Sequence, residues 1–75
     1  MRKPFRQLAE EYKDRIYTYA FYSLQSREEA EDVTQEVLVK LWRHAEGLDP
    51  GKLNAWVMRV TRNAVIDAIS ARILS

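Results

Sequence analysis

The stretch AEDVTQEVLVKLW, residues 30–42, decides the fold because its apolar residues recur at the spacing of an α-helix. At about 3.6 residues per turn, the apolar and polar side chains separate onto opposite faces. The apolar face carries Ala30, Val33, Val37, Leu41 and Ala45. The opposite face carries Asp32, Gln35, Glu36, Val39 and Arg43. The apolar face predicts packing on a core. The opposite face places a valine among amide and charged groups, so the question is whether this face binds a partner.

A second helix signal precedes this stretch. Pro4 suits the first turn of a helix, and an apolar stripe of helical spacing predicts that this helix covers residues 4–24. The stripe carries Phe5, Leu8, Ala9, Tyr12, Ile16, Tyr19 and Ala20. Ser26, with Glu29 three residues later, forms a capping box that predicts a restart of the helix at residue 27.

Gly, Pro and Asn residues predict where the second helix ends and where the third begins. The second helix is predicted to reach residue 46, where Gly47 would supply a left-handed cap. The stretch GLDPGK breaks the pattern, and a third helix is predicted over residues 53–72 with Asn54 as its N-cap. The sequence therefore predicts an all-α domain of three helices, at about residues 4–24, 27–46 and 53–72.

The third helix is apolar on more than one side. Its core stripe carries Leu53, Trp56, Val57, Val60, Ala64 and Ala68. Its second half is apolar nearly all round, through Val65, Ile66, Ile69, Ile73 and Leu74. This pattern predicts either burial on two sides or a bare contact surface. Because no C-terminal cap follows, we expect residues 1–75 to be one domain of a longer protein.

Composition excludes several classes of protein. The 75 residues suffice for one small domain, without cysteine and with His44 as the one histidine. Disulfides, thiolate metal sites and histidine clusters are therefore excluded, and the composition fits a cytoplasmic protein. Twelve basic and eleven acidic residues give a net charge of +1. We find no carboxylate pair, nucleophile–base arrangement or phosphate loop, and so predict no enzyme, no cofactor and no metal.

Two polar surfaces each allow two interpretations. The outward face of the second helix is either an ordinary solvated face or a docking patch, in which Val39 is an apolar centre with a polar rim. On the third helix, Arg59, Arg62 and Asn63 are either an ordinary basic surface or a nucleic-acid contact. In the second case the arginines would bind phosphates, and the asparagine amide would form hydrogen bonds with the edge of a base.

Other conspicuous side chains receive structural interpretations. Trp42 and Trp56 are expected to pack in or beside the core, and Tyr22 to lie on the outer side of the first helix. Asp67 is placed on the inner side of the third helix, where a buried carboxylate would need a salt bridge or a hydrogen bond. His44 is expected to interact with the C-terminal carbonyls of the second helix.

The two blocks AEDVTQEVLVKLW and AWVMRVTRNAVIDA, separated by a Gly-containing loop, resemble region 2 of the extracytoplasmic-function group of bacterial sigma factors. The resemblance extends over nearly the whole chain and implies docking on the coiled-coil clamp helices of the largest subunit of RNA polymerase. The implied docking residues are Asp32, Gln35, Glu36 and Val39, with Lys40 and Arg43 at the rim. These are the residues that periodicity places on the outward face, together with Lys40.

The resemblance also implies that the third helix and its preceding loop melt the promoter minus-ten element and hold its non-template strand. The implied DNA-binding residues are Leu48, Lys52, Arg59, Arg62 and Asn63. An anti-sigma factor is the further partner that the resemblance implies.

The sequence also departs from the family pattern. Leu38 replaces the usual Phe, the loop lacks an aromatic residue, and a basic run after Asp67 is replaced by AISARILS. Residues 1–75 do not include the second sigma domain, which in this family reads the minus-thirty-five element. A sigma-like module that binds only an anti-sigma factor or another copy of itself is therefore the alternative. A plain helix-turn-helix reader of duplex DNA fits less well, because the predicted break at residues 47–52 exceeds the usual turn.

Overall fold

Three helices make up the domain in the computed structural model, which describes residues 4–44 and 47–74. Helix α1 covers Phe5–Leu24, α2 covers Arg27–His44 and α3 covers Pro50–Leu74. No strand occurs within these described residues. The predicted all-α, three-helix fold is confirmed, and the first two helices begin within one residue of their predicted positions.

The connection between α1 and α2 is a tight turn through Gln25. This residue adopts the left-handed conformation, with φ 56° and ψ 33°, and its backbone N–H donates to Phe21 O at 2.7 Å. Its side-chain amide donates to Tyr22 O at 2.9 Å, which helps to hold a conformation that non-glycine residues rarely adopt. On the other side of the turn, Ser26 Oγ accepts the backbone N–H of Glu29 at 3.3 Å, so the serine half of the capping box is confirmed.

The start of α3 corrects two predictions. The helix begins at Pro50, and Asp49 caps it: the Asp49 carboxylate accepts the Gly51 backbone N–H at 3.0 Å. Proline suits the first helical position because that position needs no N–H donor. Asn54 is therefore not the N-cap; it lies inside the helix, where its Oδ1 accepts a hydrogen bond from Arg15 at 3.1 Å.

The predicted end of α2 is also corrected. The last residue of the helix is His44, and the predicted extension over residues 45 and 46 lies outside the described part of the chain. Gly47 does not form a left-handed cap, because its φ is not positive. The ring of His44 lies 5.9 Å from that of Trp56, so this histidine contacts α3.

The core lies between the three helices and is built from one apolar stripe of each. Its buried apolar residues are Leu8, Tyr12, Ile16, Ala20, Leu24, Ala30, Val33, Val37, Leu41, Leu53, Val57, Ala64 and Val65. Two buried threonines keep their hydroxyls satisfied within their own helices: Thr34 donates to Ala30 O and Thr61 to Val57 O, each at 2.7 Å. The predicted stripes are largely confirmed, although Phe5 and Tyr19 lie at their margins and are exposed.

Two side chains predicted to lie inside are outside. Trp42 is 65% exposed, because it lies one residue beyond the core residue Leu41 and is directed to the edge of the interface between α1 and α2. Asp67 is exposed, because the core side of α3 runs through Val57, Thr61 and Ala64 and does not include residue 67. Trp56 is half-buried and packs against the core, and Tyr22 is exposed, both as predicted.

The C-terminal part of α3 is anchored to the other two helices by Arg72. Its guanidinium donates to both carboxylate oxygens of Glu29 at the start of α2 and to Leu24 O at the end of α1, the last at 2.5 Å. The hydrogen bonds from Arg72 hold the pKa of the Glu29 carboxyl below its usual value. Arg72 therefore joins all three helices at one end of the domain.

Candidate functional site

The outward face of α2 presents all six predicted docking residues to solvent. These are Asp32, Gln35, Glu36, Val39, Lys40 and Arg43. Val39 is 47% exposed, although valine is a poor helix former that a purely solvated face does not need. Lys40 and Glu36 form an ion pair at 3.8 Å one helical turn apart. Since this pair is exposed, it contributes little to stability and its groups can exchange partners.

An apolar groove borders this face, where the first turns of α1 lie against the C-terminal half of α2. Its volume is about 420 Å³, and its lining residues are Phe5, Ala9, Gln35, Leu38, Val39 and Trp42. Gln35 and Val39 thus belong both to the polar face and to the groove. A concavity lined by aromatic and aliphatic side chains, with an amide at its rim, is suited to receive an apolar side chain of another helix.

Sequence reasoning missed Phe5 and Trp42 as members of this surface. Each was assigned to a core stripe or its margin, but each is exposed and lines the groove. Both residues lie at the edge of an apolar stripe, and that is the signal in the sequence. Periodicity alone does not tell whether a side chain at such an edge is buried or exposed. The groove becomes visible only when the two helices are placed side by side.

The second candidate surface is the outward face of α3. Four of the predicted DNA-binding residues are exposed on one side of this helix: Lys52, Arg59, Arg62 and Asn63. They share a side because residue 59 lies seven residues after residue 52, and residues 62 and 63 lie three and four residues after residue 59. Within the described part of the chain, no carboxylate pairs with Arg59 or Arg62. Their guanidinium groups are therefore available to an external anion, such as the phosphates of a nucleic acid.

Leu48 differs from these four residues. It lies in the loop before α3, and its half-buried side chain packs against the hydrophobic core. Its predicted contact with DNA stays a prediction. The structure therefore brings four of the five predicted DNA-binding residues together on one helix face and leaves the fifth beside the core.

Among the residues that the structure describes, no group of His, Asp and Glu side chains could hold a metal ion. None of the described helices combines the length and the apolar character needed to cross a membrane.

Comparisons with known proteins agree with one another. The family model for sigma-70 region 2 matches residues 8–72 of the chain. The ECF RNA polymerase sigma factor SigE of Mycolicibacterium smegmatis is 30% identical over 66 residues, which are 88% of this chain and 26% of that protein. SigW of Bacillus subtilis is 32% identical over a match that covers 87% of this chain and 35% of SigW. SigL of Mycobacterium tuberculosis is 36% identical over a match that covers 83% of this chain and 36% of SigL. The chain thus spans about a third or less of these relatives, and no solved structure matches it significantly.

Proposed function

This chain belongs to the sigma-70 region 2 family, and from that membership we propose that it docks on the RNA polymerase core and holds the non-template strand of the promoter minus-ten element. The resemblance found in the two sequence blocks is confirmed at the level of the family. Sigma factors are transcription-initiation factors, and the domain is accordingly not an enzyme. Its place of action would be the cytoplasm, where the polymerase works, and an anti-sigma factor would be its regulator.

The observation that carries the docking proposal is the exposed valine beside the groove. Val39 and Gln35 lie where the polar face of α2 meets the apolar groove that Trp42 and Phe5 complete. An interface of this kind gains most of its affinity from a central apolar anchor, while charged residues at the rim set orientation and partner choice. The clamp helices of the polymerase largest subunit would place an apolar side chain in the groove and polar groups against Asp32 and Glu36.

DNA would be held by the outward face of α3. Lys52, Arg59 and Arg62 would contact phosphates, and the amide of Asn63 would pair with a base edge. Removing a base from the stack costs a few kcal/mol, which these contacts and the bound polymerase must offset together. The half-buried Leu48 would assist only if the loop moved.

The docking proposal is tested with a double substitution, Gln35→Ala with Val39→Asp. Both side chains are exposed, so the helical content should be unchanged while retention of core polymerase in a pull-down falls at least about tenfold, as expected for the loss of an interface anchor. Tyr22→Ala is the matched control: it removes a side chain that is 72% exposed and lies at the other end of α1 from the groove. Equal retention of the double variant and the control would contradict docking through this face.

The alternative, a sigma-like module that binds only protein, is favoured by one observation. The loop before α3 has no aromatic residue, and its Leu48 is packed against the core and not directed outward. If the chain retains core polymerase or an anti-sigma factor but adds no affinity for a labelled non-template oligonucleotide, this alternative replaces the DNA-binding part of the proposal.

A further inference from the structure

Two contacts define which flank of α2 borders α3. Near the start of α2 the carboxylate of Glu29 accepts hydrogen bonds from Arg72, and at its end the ring of His44 lies 5.9 Å from that of Trp56. The residues of α2 in these contacts run forward along the chain while those of α3 run backward, so the two helices are antiparallel. The flanks that carry these four residues therefore face each other across the boundary between α2 and α3.

Lys40 lies on this flank of α2. It follows Glu29 by eleven residues and precedes His44 by four, and both spacings are close to whole turns of an α-helix. Val39, at the centre of the proposed docking patch, is directed about 100° away from Lys40 around the helix axis. The exposed side chain of Lys40 thus leaves α2 at the edge that borders α3, although the family resemblance implies a place for it at the rim of the docking face.

Asn63 lies on the facing flank of α3. It follows Trp56 by seven residues, which is close to two full turns, and its side chain is exposed. Arg62 follows Trp56 by six residues and is therefore directed about 120° away from that flank. The proposed base-reading amide is thus turned toward α2, with an arginine on its far side.

The register of the two helices places Lys40 and Asn63 at nearly the same height. Lys40 lies four residues before His44, so in the antiparallel arrangement it is level with Val60, which lies four residues after Trp56. Val60 is half-buried and packs against the core, so the space above it is open to longer side chains. Asn63 is three residues further along α3, or about 4.5 Å along the axis, which the flexible four-carbon stem of a lysine spans.

We propose that Lys40 binds the non-template strand beside Asn63, and that the strand crosses α3 toward α2. This inference rests on the proposed DNA-binding function of α3. Arg62 binds the phosphate on one side of the nucleotide whose base Asn63 reads, and Lys40 binds the phosphate on the other side. Phosphate contacts on both sides of a base-reading amide fix the register of the strand, because such contacts position the backbone while base contacts specify the sequence.

The charges around Lys40 are compatible with this role. Its ion-pair partner is Glu36, one turn earlier, at 3.8 Å. Because the pair is exposed, little stability is lost when the ammonium group exchanges a carboxylate for a phosphate. In the docked complex Glu36 contacts the polymerase under the proposed function, which leaves Lys40 to the strand. Asp67 is exposed one turn after Asn63, seven residues or about 10 Å from the level of Lys40, and its carboxylate repels phosphates placed further along α3.

Lys40→Ala tests the assignment, with Arg27→Ala as the matched control. Arg27 is an exposed basic residue of the same helix that belongs to neither candidate surface. Lys40→Ala should keep the retention of core polymerase in a pull-down. The complex should bind the non-template oligonucleotide roughly three- to tenfold more weakly, with the slope of log affinity against log salt reduced by about 0.7. Reduced polymerase retention by Lys40→Ala, or oligonucleotide binding equal to that of Arg27→Ala, would overturn the proposal.

Cleavage directed from single sites tests the path of the strand. Because the chain contains no cysteine, an iron chelate can be attached to Lys40→Cys or to Arg62→Cys alone. In the complex with polymerase the two chelates should cut the labelled strand on opposite sides of the nucleotide whose identity ceases to matter in Asn63→Ala. Cuts on the same side, or none from Lys40→Cys, would show that the strand does not cross toward α2.

The unsubstituted chain distinguishes failure of this inference from failure of the proposed function. If it binds polymerase but no oligonucleotide, the proposed DNA binding is refuted, and the role of Lys40 with it. If it binds the oligonucleotide while Lys40→Ala has no effect, only the role of Lys40 is refuted.

Discussion

The carboxylate of Glu29 makes the stability of this domain depend on pH. Its hydrogen bonds with Arg72 lower its pKa from the ordinary value of 4.5 in the folded state. A carboxyl whose folded pKa is lowered stabilises the protein above the ordinary value, and this contribution is lost as the pH falls through the lowered pKa. Glu29→Gln should therefore lower Tm at neutral pH and flatten its decline below pH 4.5.

The measurement is a set of thermal melts from neutral pH down to acid, with Glu28→Gln as the control. Glu28 is the exposed neighbour in the same first turn of α2, and the substitution Glu28→Gln removes the same charge from the same helix end. If the two variants show the same pH profile, the contact between Glu29 and Arg72 adds no stability in solution.

Trp42 and Trp56 illustrate which single side chains the sequence predicts and which it does not. The position of Trp56 on the stripe of α3 predicts contact with the core, and the structure confirms it. Trp42 lies at the margin of its stripe and Asp67 on the predicted inner side of α3, and both are exposed because burial depends on how neighbouring helices are rotated. A helical period gives the direction of each side chain from its own axis, but it does not give the positions of the other axes. The groove and the Arg72 contact are beyond sequence reasoning for the same reason.

Asp49 caps the start of α3. Its carboxylate accepts the Gly51 N–H at 3.0 Å, and its backbone carbonyl accepts the Lys52 N–H at 2.8 Å. Asp49→Ala should lower the free energy of unfolding by about 0.5–2 kcal/mol, because a helix N-terminus loses its cap and a favourable charge. Urea denaturation measures the difference.

Asn54→Ala is the matched comparison for this helix. It removes one exposed hydrogen bond with Arg15, at 3.1 Å, and leaves the cap in place. The cost should be within about 0.5 kcal/mol, as for most surface substitutions. A larger loss for Asn54→Ala than for Asp49→Ala would restore the sequence-based assignment of the cap to Asn54. That assignment treated Asp-Pro-Gly as a break, although an aspartate followed by proline is also a strong helix start.

The three apolar stripes predict the arrangement of the helices, but they do not predict what the outward faces bind. Each stripe contributes to one shared core, so the number and order of the helices could be predicted from apolar spacing alone. The residues of the two candidate surfaces were identified as outward-facing by the same spacing. Whether an outward face binds anything is not encoded in its period. For that reason the docking and DNA contacts depend on the family resemblance and on the groove that packing creates.

DNA binding by the assembled complex provides the test of the α3 surface. With core polymerase bound to the chain, Arg59→Ala or Arg62→Ala should weaken binding to all non-template oligonucleotides alike, because phosphates carry no sequence information. Each loss should reduce the slope of log affinity against log salt by about 0.7 for a single strand. Asn63→Ala should leave the salt slope unchanged, reduce the preference for one base, and cost roughly 1–3 kcal/mol on the preferred oligonucleotide.

Lys13→Ala controls for the loss of positive charge, since Lys13 is exposed on α1 and belongs to neither candidate surface. It should change the salt slope little, because charges separated by more than the screening length of about 8 Å interact weakly at physiological salt. The arginine variants and the lysine variant each remove one positive charge, from different places on the domain. An equal change in all three would mean that the strand senses the net charge of the domain, and a loss confined to the arginines would locate its phosphates along α3. If Asn63→Ala also lowered the salt slope, the asparagine would act through the backbone of the strand, and base selection would have to come from the loop before α3.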